Sequence, residues 1–151
     1  MLNETISIHA YLPHRKPMLM VDTILEINEN EVVTEFLVTE DCIFAHGGFL
    51  SESGLIENAA QTCSAIVGRS ILSDGNGGVR NGMKTIGFIS GIKQLAIYRK
   101  PAANEIIITE ASLISKFDTE EYCICAMKCR TLSQGKTLLE ADINLFIKKE
   151  K

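Results

Sequence analysis

This sequence predicts an α+β fold in which an antiparallel sheet covers a single long helix. Three observations carry that expectation. Only one segment, 51–68, repeats apolar residues at helical spacing. Two strand-like runs precede it and four follow, separated by short turns. A parallel sheet would need a crossover helix between successive strands, and the chain does not supply them. No repeat, low-complexity tract or linker divides the 151 residues, a length that suits one domain, 1–151, with a core over about 12–147.

Each element has its own signal. The first twelve residues carry little pattern. Pro13 and Pro17 bracket "PHRKP", and prolines at that spacing favour extended or turning backbone. "MLMVDTILEI" (18–27) is apolar and partly β-branched, Asn28-Glu29-Asn30 reads as a turn, and "EVVTEFLVT" (31–39) completes a hairpin. The helix comes next. Ser51 or Ser53 can cap it, and Glu52 sits favourably near its positive end. Leu55, Ile56, Ala59, Ala60, Cys63, Ile66 and Val67 form its apolar face. Ala59, Ala60, Cys63, Ala65 and Gly68 are small, so the helix can lie close against a sheet. "SDGNGGVRNG" (73–82) reads as a loop and lacks the Gly-Lys-Ser/Thr ending of a phosphate-binding loop. Strands are expected over 84–99, 105–117, 121–132 and 136–149. "KPAAN", Asp118-Thr119 and Ser133-Gln134-Gly135 separate them.

Composition narrows the function classes. Net charge is −4, from 15 basic and 19 acidic residues, and no basic stripe stands out, so there is no footprint for nucleic acid. No run approaches the ~18 apolar residues of a membrane span. "MLNETISIHAYLPHRK" has neither the basic start nor the apolar run of a signal peptide, which makes the cytoplasm the expected location. The odd count of five cysteines argues against a disulfide framework. Cys123 and Cys125 share a strand face, and with no Cys-x-x-Cys and no nearby histidine they read as small buried hydrophobes. There is no dinucleotide glycine fingerprint and no metal-ligand cluster, so no cofactor is expected.

The chemistry-bearing stretch is "HGGFLSESGLIENAAQTCSAIVG" (46–68). On a helical wheel Glu57 falls outside the apolar face, on the flank of Gln61 and Ser64. It is either a perturbed acid or a first-turn glutamate facing water. Gln61 either orients it or is an ordinary surface residue. His46 is either a titrating group near the helix tip or a solvated loop residue before Gly-Gly.

Three ordered matches make the chain resemble the hotdog-fold 3-hydroxyacyl-acyl-carrier-protein dehydratases of bacterial fatty-acid synthesis. "LPHRKPMLMVDTILEI" (12–27) is similar to the family's opening Leu-Pro-His-Arg-x-Pro run. "LIENAAQTCSA" (55–65) resembles its hydrophobic-hydrophobic-Glu-x-x-Ala-Gln helix. "GFISGIKQLAIYRKPAANEIIIT" (87–109) resembles its Gly-hydrophobic-Lys-x-x-hydrophobic-x-Arg-x-Pro strand. The resemblance implies a catalytic glutamate and histidine contributed by different protomers at the mouth of an acyl tunnel. Glu57 falls on the glutamate. The family's Gly-His-Phe-Pro-Gly is replaced by "FAHGGFLSESG", so a gapless match from Glu57 puts the histidine position on Ile43, and His46 reaches it through a loop three residues shorter. His14 is the rival histidine, with a structural role in the family reading.

The resemblance also implies how the reaction runs. A histidine base takes the C2 proton, a carboxylic acid protonates the leaving 3-hydroxyl, and amide donors at the helix tip hold the thioester oxygen. Gly54, Gln61, Phe49 and Phe88 are the expected substrate-binding residues. The expected partner is an acyl-carrier protein bearing a phosphopantetheine-bound acyl chain. Arg69, Arg80, Lys84 and Arg99 are either its basic rim or scattered solvated charges. A homodimer or trimer of dimers is expected, since edge pairing hides strand edges. Two other activities use the same scaffold: a hotdog acyl thioesterase with Glu57 activating water, and a non-catalytic acyl-binding accessory subunit.

Overall fold

The structure, a computed structural model, describes residues 8–72 and 84–150, so the loop expected at 73–82 lies outside the described residues. A single 3-10 turn, Ile8–Ala10, opens it where little structure was expected. Strands β1 (Thr23–Ile27) and β2 (Glu31–Leu37) form the first hairpin. Its turn is closed by the Asn28 side chain, whose Oδ1 accepts from the amides of Asn30 and Glu31, both at 2.8 Å. Helix α1 spans Glu52–Leu72. Strands β5 (Lys84–Ile97), β6 (Ile106–Asp118), β7 (Tyr122–Ser133) and β8 (Lys136–Glu150) follow.

Two expectations needed correction. The first strand begins at Thr23 and not at Met18. Leu19, Met20 and Val21 are buried, but the Met20 backbone bonds to helix side chains: its N–H donates to Gln61 Oε1 at 2.7 Å and its carbonyl accepts from Asn58 Nδ2 at 2.7 Å. With both groups taken by α1, that residue has none left for a strand ladder. The second correction is a small hairpin, β3 (Ala45–His46) and β4 (Phe49–Leu50), inside what read as a loop. Gly47 and Gly48 form its tip with φ of +61° and +84°. Gly-Gly is a two-residue hairpin signal, but strands of two residues leave no alternation to read.

The six long strands form one antiparallel sheet in the order β1-β2-β6-β7-β8-β5. Strands β6, β7 and β8 meander, while β5 crosses to the far edge and pairs with β8 along almost its whole length. Alternating buried positions on β7 (Cys123, Cys125, Met127, Cys129, Thr131) face α1. All five cysteines are free, and four of them are core residues.

Ser51 caps the helix, its Oγ accepting from Gly54 N–H at 3.2 Å. Small residues let α1 approach closely. A Cβ on Gly68 would lie 2.0 Å from the Tyr11 carbonyl oxygen, and one on Gly54 would meet Leu50 Cδ1 at 2.6 Å. The contact between helix and sheet is not purely apolar. Thr34 and Thr62 share a 2.7 Å hydroxyl bond, and Thr109 donates to Asn58 Oδ1 at 2.6 Å while bonded to Thr131. Closed polar pairs of this kind fix the rotation of α1 against the sheet, because any slip leaves buried groups unpaired. A six-stranded antiparallel sheet with one long helix on its inner face is the hotdog arrangement.

Candidate functional site

A cavity of about 220 Å³ lies between α1 and the β5 edge of the sheet. From the helix, Glu57, Ala60, Gln61 and Ser64 line it. Gly87, Phe88 and Ile89 of β5 border it, Leu145 and Ile147 of β8 form its apolar side, and His14 closes the remaining wall.

Glu57 is half-buried there, and its Oε1 accepts from Gln61 Nε2 at 2.9 Å. Gln61 is buried rather than a surface residue. Its Nε2 also donates to the Met18 carbonyl at 2.9 Å and its Oε1 accepts from Met20 N–H, so three partners hold it. One amide therefore ties segment 18–20 to the helix and presents its remaining donor to Glu57. The i,i+4 spacing makes this geometry available as soon as the helix forms.

His14 shares the cavity wall. Burial lowers its pKa from the ordinary 6.5, the charge of Glu57 opposes that shift, and Arg15 adds to it. Its Nδ1 is buried without a hydrogen-bond partner. From the sequence His14 is the rival of His46, structural by the family resemblance, and nothing local signals a cavity. The side chain shares the cavity with Glu57 where Gln61 and Asn58 bind the strand-like segment behind it to the helix.

His46 stands elsewhere within the chain. It is exposed on β3, directly across from Phe49, and does not line the Glu57 cavity. The hairpin that carries it is well anchored. Leu50 N–H donates to the Pro101 carbonyl at 2.9 Å, Ala103 N–H to the Gly48 carbonyl at 2.8 Å, and Phe49 bridges to Ala102. Phe49 is 46% exposed beside the helix tip. Phe88 borders the cavity while its side chain is 56% exposed and sits across from Phe146. Gly54 is buried in the first turn, its amide taken by the 3.2 Å bond to Ser51.

Of the four cations considered as a rim, Arg80 and the side chains of Arg69 and Lys84 lie outside the described residues. Arg99 is committed to a clamp. Its Nη1 and Nη2 donate to the two Glu105 oxygens at 2.8 and 3.1 Å. Glu105 also accepts from Ala102 N–H at 3.0 Å and Ser133 Oγ at 2.8 Å. These donors, Arg99 foremost, pull the Glu105 carboxyl down to about 2. The clamp stiffens 99–105, the segment against which the His46 hairpin docks. No described helix is long and apolar enough to cross a membrane.

Comparison with known proteins follows the same direction. A family model described as ApeP-like, the ApeP dehydratases, matches residues 6–151. A stretch of 43 residues is 49% identical to the 3-hydroxyacyl-[acyl-carrier-protein] dehydratase FabZ of Streptococcus sanguinis, but it covers only 28% of this chain and 31% of that enzyme. Among solved structures, the dehydratase heterocomplex ApeI:P from Xenorhabdus doucetiae matches with a TM-score of 0.77 at 17% identity, covering 95% of this chain and 91% of that one. A hypothetical thioesterase protein with coenzyme A from Streptococcus pneumoniae matches at 0.58 and 13% identity, covering 82% and 83%. Identities this low carry the fold and not the reaction. The family match spans nearly the whole chain: this protein belongs to the ApeP-like dehydratases.

Proposed function

We propose, proceeding from that membership, that the protein removes water from a 3-hydroxyacyl thioester carried on acyl-carrier protein and releases a trans-2-enoyl thioester. The observation that carries this reading is Glu57. Its carboxyl is held by the buried Gln61 at the wall of a partly apolar cavity on the edge of the sheet. In the reaction Glu57 gives its proton to the leaving 3-hydroxyl, the C3–O bond breaks, and the C2 proton passes to a histidine base. Water and the enoyl thioester leave, and no cofactor enters the balance.

The base assigned is His46 of a second copy. Strand β5 is a sheet edge, and its Ile89, Ile92 and Leu95 are 38–43% exposed although their cross-strand partners Leu145, Ile143 and Ala141 are buried. Pairing two β5 edges would cover these side chains and cap the cavity that β5 borders. An exposed, anchored hairpin is then the element that a neighbour can deliver to the cavity mouth. Gly54, expected to bind substrate, has its N–H engaged by Ser51 and does not line the cavity, so the thioester oxygen is not assigned to it. Phe49 and Phe88, both exposed in the single chain, are assigned as walls for the acyl chain.

The test is hydration of a crotonyl thioester, followed by loss of enoyl absorbance. Glu57→Gln is expected to abolish it, and His46→Ala to slow it about 100-fold or more. Activity retained by Glu57→Gln removes the acid from this mechanism. Release of free thiol from a saturated acyl thioester, with no hydration, identifies a thioesterase instead.

A further inference from the structure

We propose that His14 is a fixed hydrogen-bond donor to the leaving oxygen of the substrate, acting beside Glu57 on the same atom. The inference rests on the dehydratase reading above and adds a third participant to it.

The argument begins with the ring's two nitrogens. Nδ1 is buried with no partner. A buried N–H without an acceptor is rarer than an acceptor left unsatisfied, so the proton belongs on Nε2 and Nδ1 is bare. Among the described residues no hydrogen bond engages Nε2, and since His14 lines the cavity with its Nδ1 sealed, the Nε2 edge is taken as the one turned to open space. Burial and Arg15 favour the neutral ring and outweigh the opposing Glu57 charge. The wall therefore presents a neutral N–H donor next to a carboxyl.

A hydroxyl oxygen has two lone pairs. One takes the Glu57 proton and the other accepts the Nε2–H of His14. As the C3–O bond breaks, charge builds on that oxygen, and the second bond strengthens in the transition state more than in the ground state. No proton leaves His14, so the balance of the reaction is unchanged.

His14→Gln places an amide N–H near the Nε2 position, whereas His14→Leu places none there. With 3-hydroxybutyryl-coenzyme A, His14→Leu is expected to lower kcat about 10- to 100-fold with little change in KM, and His14→Gln to recover most of it. A 3-chloropropionyl thioester supplies the decisive comparison, since chloride leaves without a proton or a donor. Elimination from it should proceed at near wild-type rate in His14→Leu. A merely structural histidine would depress both substrates alike, and that result overturns the proposal. Imidazole 15N shifts of the wild-type protein offer a check independent of any variant: Nε2 protonated and Nδ1 bare supports it, and the reverse overturns it. Hydration that survives Glu57→Gln would remove that acid, and with it the His14 role beside it, whereas a wild-type protein that hydrates no enoyl thioester would sink the dehydratase reading. Loss in Glu57→Gln with equal effects of His14→Leu on both substrates would sink the His14 role alone.

Discussion

Replacing Gln61 by leucine should cost far more than a surface change, and the structure gives the amount. The leucine fills the space but offers no polar atom. Met20 N–H, on a residue that is 1% exposed, loses its Gln61 acceptor. A buried, unsatisfied amide costs about 2 kcal/mol. Glu57 loses one donor, but it is half-buried and water replaces part of that bond, leaving about 1 kcal/mol. The Met18 carbonyl belongs to a residue that is 42% exposed, so its loss adds little. The expected destabilisation is about 3 kcal/mol, or ~6–12 °C in Tm for a chain of this length. Urea unfolding at one fixed protein concentration measures it, since assembly would otherwise contribute. The same variant should lose most hydration activity under conditions where it remains folded, because Glu57 loses its amide donor and segment 18–20, with the His14 that precedes it, is left tied to α1 through Asn58 alone. A stability change below about 0.5 kcal/mol, with unaltered kinetics, would refute the view that this one amide organises the site.

Three further outcomes follow from other parts of the fold. Gly68→Ala, normally a gain within a helix, should destabilise by about 1–2 kcal/mol, since the added Cβ meets the Tyr11 backbone and overpacking outweighs helix propensity; thermal melts decide the sign. The Glu105 carboxyl, pulled down to about 2 from the ordinary 4.5, contributes stability that is complete above pH 4.5 and is lost as pH falls through the folded value. The paired side chains are 45% and 21% exposed, which limits the contribution to about 1 kcal/mol; Glu105→Gln should remove it, together with the acid sensitivity in that window. His14 has the opposite charge logic: its folded pKa lies below 6.5, so the unfolded chain binds the proton first and stability falls as pH drops below 6.5. His14→Gln should flatten that slope in urea titrations between pH 7 and 5.

Much of the architecture was legible in the residues themselves, because it depends on local pattern. The apolar spacing of 55–67, the serine cap and the alternation along 122–133 each encode one element through its own period, and every long strand fell within a few residues of its reading except the first. That exception is instructive. "MLMVD" has strand composition, yet Met20 turns its amide and carbonyl to Gln61 and Asn58, partners some forty residues away that no local window contains. The two-residue strands around Gly47 and Gly48 escaped for the related reason that their stability comes from Pro101 and Ala103 rather than from themselves.

The site divides along the same line. The sequence by itself determined the fold class, the helix that carries Glu57 and the i,i+4 amide beside it, because covalent spacing on a helix settles which side chains meet. Only the tertiary structure decided that Gln61 is buried and triply engaged, that β5 closes the sheet as an exposed edge beside the cavity, and that His14 rather than His46 lines that cavity within one chain. Those outcomes depend on which distant backbone groups remain unpaired when helix and sheet are brought together, a condition that exists only in the assembled fold.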